Sequence, residues 1–181
     1  MTYAEYRDTE LHSAVKHEYL RGEVFAMTGG TPQHSALAAR LTAVLTRELA
    51  GRPCRVFNSD LRIRIEATDL ATHPDVSVVC DRLETARDDE LAVVNPSLLV
   101  EVLSDSTEAY DRGQKAAHYR RIPSLGAYLL VSQHEPRLEL FVRRDDGSWS
   151  LLEAGAGQRL EVEPLGIGVA VDEVYEDPLA R

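Results

Sequence analysis

Leu98-Leu99-Val100-Glu101-Val102-Leu103-Ser104-Asp105-Ser106-Thr107 is the stretch whose reading decides the fold. It opens as a continuous apolar run of strand length, which predicts a strand buried on both faces. An ionisable carboxylate, Glu101, sits inside that run. A charged acid alone in a low-dielectric interior costs several kcal/mol, so Glu101 must be neutralised, paired with a cation or bound to a metal. Its partners have to come from the elements on either side.

Downstream, Asp111 is placed to cap a helix, with Gln114 three residues on as its capping-box partner. That helix carries Lys115, Ala116, Tyr119 and Arg120, and Pro123 ends it. Ala127 to Val131 is a second buried strand. Two strands joined through a helix should lie parallel and adjacent. Upstream, Pro74 opens the β-branched strand His73-Pro74-Asp75-Val76-Ser77-Val78-Val79-Cys80, which puts Asp75 at its beginning. From Arg55, the apolar residues Leu61, Ile63 and Ile65 alternate with Asp60, Arg62 and Arg64, predicting a half-exposed strand with a basic outer face. Glu66 to Thr72 reads as a polar connection, and Arg82 to Glu90 as an exposed turn of helix or loop.

Thr31-Pro32 is a helix start, threonine as N-cap and proline in the first turn. Leu37, Leu41, Val44, Leu45 and Leu49 then recur at helical spacing up to Gly51, with His34 in the first turn on the core side. His17 to Met27 reads as two strand pieces turning at Arg21-Gly22, and Glu18 lies on the first. Tyr3 to Leu11 is expected to be a short amphipathic helix burying Tyr3, Tyr6 and Leu11. Beyond residue 132, Leu138 to Val142, Trp149 to Leu152 and Ile167 to Val171 form a strand-rich extension. The order from Thr31 to Val131 is helix, three strands, helix, strand, an α/β (α+β) fold with a mixed sheet flanked by helices.

At 181 residues and 44% hydrophobic content the chain suits one domain, 1–181, with a core over about 15–132 and the β-rich extension over about 133–175. A net charge of −10 argues against non-specific coating of nucleic acid or anionic membrane, without excluding a local basic groove. No apolar stretch approaches the roughly 20 residues needed to span a bilayer, so a membrane protein is not expected. Cys54 and Cys80, without regular spacing or a secretory leader, point to a reducing cytoplasm and two free thiols. His73 and His118 lack the spacing of a zinc site.

An aspartate opening one strand, a glutamate within the next and a lysine on the following helix suit metal-dependent phosphodiester cleavage. Two carboxylates hold magnesium through hard oxygens, and lysine positions water or steadies charge on phosphate. In this element order the set resembles the PD-(D/E)xK nuclease superfamily. More narrowly, HEYLRGEV, the Pro32 to His34 helix opening, HPDVSVV, LLVEVLSDST and DRGQKAAHYRRIPSLGAYLLV resemble the Uma-two family of restriction-endonuclease-like bacterial proteins. The resemblance implies that Asp75 and Glu101 are ligands of Mg2+ or Mn2+, that Glu18 is a third acid near the metal, and that Lys115 is the catalytic lysine. It further implies that His34 and Asp60 border the site, that nucleic acid is the substrate, and that the protein is a homodimer. The superfamily lysine usually stands two residues after the strand glutamate. That position is Leu103 here, so Lys115 substitutes only if its helix docks across the strand ends.

Arg62, Arg64 and Arg112, with Arg120 and Arg121, offer a phosphate-facing groove; the default for each is a solvated surface charge. Two other functions fit the same residues. One is a non-cleaving nuclease-fold module for binding or assembly, favoured by the net charge and by Leu103. The other is a hydrolase of small phosphate esters, which suits an acidic protein better than duplex DNA does.

Overall fold

The computed structural model describes residues 1–177. The core sheet contains, in spatial order, Trp149–Gly155 (β12), Arg137–Arg143 (β11), Ala127–Val131 (β10), Leu98–Val102 (β9), Val76–Cys80 (β6) and Cys54–Asn58 (β3). All five residues of β9 are buried. It pairs antiparallel with β6 and parallel with β10, as the helical crossover between β9 and β10 requires. Alternation along β9 divides the interior. Leu98, Val100 and Val102 pack toward Pro32–Glu48 (α2), with Leu37, Leu41, Val44 and Leu45. Leu99 and Leu103 face the other way, against Tyr119, Ile122 and Leu125, and Glu101 shares their side of the strand.

The helical end of α2 follows from its sequence: the Thr31 hydroxyl accepts from the His34 amide at 3.1 Å, and Gly51 takes a φ of 79° just beyond the last turn. A second sheet covers the far side of the core, in the order Glu23–Ala26 (β2), His17–Leu20 (β1), Leu70–Thr72 (β5), Arg62–Ile65 (β4), Asp89–Val93 (β8) and Thr85–Ala86 (β7). The turn between β1 and β2 falls at Arg21 and Gly22, both at positive φ. Arg159–Val162 (β13) and Ile167–Ala170 (β14) form a hairpin that, with helix Val171–Tyr175, packs onto α2.

Several expectations are corrected. The strand read from Arg55 to Ile65 is two strands in different sheets, because the Asn58 side chain accepts from the Asp60 amide at 3.0 Å and turns the chain there. The outer face of β4 is not solvent-exposed. Helix Tyr3–Glu10 (α1) lies over it, so Arg62 is buried against Asp89 at 2.8 Å. Arg64 lies 3.8 Å from the centre of the Tyr3 ring and bonds Asp69 at 2.5 Å. Alternating charge was the right periodicity with the wrong environment. Residues 66–72 and 82–90 are likewise not plain connections: they contribute β5, β7 and the start of β8, and Asp89 is buried. Leu11 is exposed rather than buried.

Cys54 and Cys80 stand opposite each other in the β3–β6 register and form a disulfide of 2.03 Å, correcting the expectation of free thiols. The cytoplasmic expectation loses the support it drew from them. Among the described residues no helix is long and apolar enough to cross a membrane.

Candidate active site

Pairing of Val76 with Val100 brings Asp75 beside Glu101 at the next position of the two strands. One oxygen of Asp75 accepts from the Val102 amide at 2.8 Å and lies 3.2 Å from His34 Nε2, so β9 and the first turn of α2 both hold it. That hydrogen bond raises the His34 imidazole above its ordinary range, against the opposing effect of burial. Glu101 is 5% exposed. Its Oε1 accepts from the Tyr119 hydroxyl at 2.6 Å and lies 2.9 Å from Lys115 Nζ.

The Lys115 ammonium is buried and surrounded by acids. Besides Glu101, it meets Glu18 Oε1 at 3.1 Å and Asp111 Oδ1 at 3.7 Å. Glu18 arrives from β1, where Thr72 on β5 also donates a hydrogen bond to it. Burial alone would lower the lysine, yet Glu101, Tyr119, Glu18 and Asp111 hold it well above its usual value. The acids outnumber the cation. Burial pushes the Glu101 carboxyl up, Lys115 opposes this, and with Asp75 and Asp111 nearby it comes to about 8. Asp111 is raised as well, chiefly by burial. A surplus of carboxylates around one ammonium keeps a proton among them near neutrality.

Asp111 is the residue that sequence reading misplaced. It lies inside a helix, not at its cap: Glu108–Tyr110 is α-helical, Asp111–Lys115 has π geometry, and Ala116–Tyr119 returns to α. The Asp-x-x-Gln spacing imitated a capping box, whereas the helix begins after Thr107. The wider π turn holds Asp111 and Lys115 on the buried side together, and such bulges recur at functional sites. Tyr119, four residues after Lys115 on the same helical segment, and Thr72 on β5 are further partners, and each reaches its carboxylate, Glu101 or Glu18, only across the fold.

Glu18, His34, Asp75, Glu101, Asp111 and Lys115 thus border one cleft of about 290 Å3, with residues 25–31 along its rim. Asp60 does not line it; this exposed aspartate bonds Lys16 at 2.6 Å. Arg62 and Arg64 are buried under α1 and do not form the expected groove. Arg112 is held by Glu108 at 2.7 Å and Glu139 at 2.5 Å. Arg120 lies against Phe141 and Trp149, and Arg121 lines a separate hollow.

Among the described residues no three His, Cys, Asp or Glu side chains are set as a ready-made metal cage. Lys115 stands between Glu18 and Glu101. The donor set nonetheless fits a hard divalent ion: the oxygens are carboxylate, their charge exceeds that of the cations, and Asp75 and Glu101 adjoin. Magnesium commonly binds through one or two carboxylates, with waters and phosphate oxygens completing its shell.

The fold and its acid-lined strand ends define a restriction-endonuclease-like protein. A crystal structure described as that of a "putative nuclease belonging to DUF820" from Anabaena variabilis has the same fold, with a TM-score of 0.72 and 16% identity over 90% of this chain and 91% of that one. The chain belongs to the Uma2 family, described as "Putative restriction endonuclease", whose model matches residues 3–172. It is similar to two uncharacterized proteins of Synechocystis sp., slr1290 and sll1609. The first is 43% identical over 94% of this chain and 89% of the relative. The second is 35% identical over 90% of this chain and 92% of the relative.

Proposed function

We propose that the protein is a nuclease that hydrolyses phosphodiester bonds of DNA with Mg2+ or Mn2+ held by Asp75 and Glu101. The observation that carries this reading is the convergence of Lys115 with Glu101 and Glu18, at 2.9 and 3.1 Å, beside Asp75. The family description and the shared nuclease fold support it. Bound there, the ion supplies positive charge to a phosphate and acidifies a water.

The chain's own residues do the rest. Tyr119 and Lys115 orient Glu101 through one oxygen, leaving its second oxygen outside those bonds. The Val102 amide and His34 orient Asp75 in the same way. Lys115 keeps its proton because its neighbours are acids, and it steadies negative charge building on a phosphate. Glu18 and Asp111 fix the ammonium in place. Assembly as a homodimer belongs to the same reading, and sedimentation tests it.

Calorimetry of Mg2+ and Mn2+ binding to wild type and Glu101→Ala, with plasmid nicking followed in the same buffer, tests the proposal. Binding and nicking in wild type, both lost in the variant, are expected. No metal binding even with DNA present would overturn the ligand assignment. A second reading, hydrolysis of a small phosphate ester, is favoured by the absence of arginine from the described cleft lining. Turnover of nucleotide esters without plasmid nicking would select it. Binding without turnover of either substrate would select a non-cleaving module.

A further inference from the structure

Affinity for duplex DNA is dominated by cations meeting phosphates. Among the described residues the cleft lining includes one lysine, Lys115, and no arginine. Lys115 is committed to three carboxylates. In the adjoining hollow along α2, Lys16 is committed to Asp60 at 2.6 Å. With a net charge of −10 over the whole chain, phosphate attraction is a weak source of binding here. Beside the metal ion itself, contacts to the bases are the remaining source of affinity.

The cleft offers one. Phe25 is cross-strand partner to Glu18 in the β1–β2 hairpin, so the two side chains share a face, and both line the cleft. Phe25 is 49% exposed on β2, an edge strand, and no ring or cation contact covers it among the described residues. Tyr110 also lines the cleft, but its ring lies 5.9 Å from Lys115 Nζ and is half-buried. Every base has a π face, and stacking on an aromatic side chain needs no positive charge. A base paired inside a duplex cannot offer that face.

Resting on the nuclease reading above, we propose that Phe25 stacks on an unpaired base of the strand whose phosphodiester lies in the cleft. The favoured substrate is then single-stranded or locally unpaired DNA rather than intact duplex. The test is anisotropy of three labelled oligonucleotides in calcium: a single strand, its matched duplex, and the single strand with abasic positions. Wild type, Phe25→Ala and Phe25→Tyr are compared.

Wild type should bind the single strand more tightly than the duplex. Phe25→Ala should lose about tenfold on the single strand and little on the abasic strand, while Phe25→Tyr retains binding. Equal losses on all three oligonucleotides, or no loss on the single strand, would overturn the stacking role while leaving the nuclease reading intact. Loss of a wild-type dimer in Phe25→Ala by sedimentation would also overturn it, assigning the residue to an interface between copies. If no oligonucleotide bound any variant, the nuclease reading itself would fall, and stacking with it.

Discussion

Glu101 is the residue on which burial and charge conflict most openly. Its carboxyl reaches about 8 in the fold against 4.5 for a free glutamate, chiefly through burial. The folded state therefore keeps a proton that the unfolded chain releases, and stability from this group, full below about pH 4.5, is lost as pH rises through about 8. Glu101→Gln mimics the neutral acid. Denaturant unfolding of that variant should show a flatter dependence between about pH 5 and pH 8 than wild type, with metal binding lost. An equally steep slope in the variant would place the titration elsewhere. The sequence marked this acid as needing a partner, because a glutamate within an apolar run has few tolerable environments. Asp111 carries no such mark, since an aspartate three residues before a glutamine has a commonplace reading as a cap. Arg62 and Arg64 were misread for the same reason: charge at alternate positions ordinarily means water, and here it means Asp89, Asp69 and the tyrosines of α1.

At the scale of elements, the π turn Asp111–Lys115 sets the site's alignment. A π bulge is an α-helix carrying one extra residue, and each residue removed from a helix rotates the downstream side chains by about 100°. Gly113 is exposed, and a Cβ added there would meet nothing within 4 Å. Deleting Gly113 should keep the helix but turn Lys115 and Tyr119 out of register with Asp111 and Glu101. The expected result is a near-native circular dichroism spectrum with loss of nicking of about a hundredfold or more, the scale of a misplaced catalytic group. Nicking at the wild-type rate would show that the bulge has no part in alignment. The strands and α2 were legible because period and caps agree at each; the bulge was not, because no residue type announces it.

Across the whole molecule, the Cys54–Cys80 disulfide joins β3 to β6 at the end of β6 remote from Asp75. It closes a sequence separation of 26 residues. On chain entropy, a loop of that order contributes about 3 kcal/mol. The double variant Cys54→Ser, Cys80→Ser should lose that unfolding free energy, seen as a lower denaturant midpoint, and bind Mn2+ as wild type does. Weakened metal binding in a folded variant would instead tie the disulfide to the cleft.

The sequence alone determined the buried strand and its misplaced acid, the Thr31-capped helix, the Arg21-Gly22 hairpin and the parallel pairing of β9 with β10. Each follows from periodicity, a cap or a crossover rule acting within a short span. Only tertiary structure decided that Glu18, Asp111 and Tyr119 share Lys115 and Glu101, that α1 buries the arginines of β4, and that the two cysteines meet. Local pattern reports that a face is covered, whereas what covers it depends on contacts between residues far apart in the chain, such as Tyr3 and Arg62 with Asp89 on β4's face or Glu18 with Lys115 in the cleft.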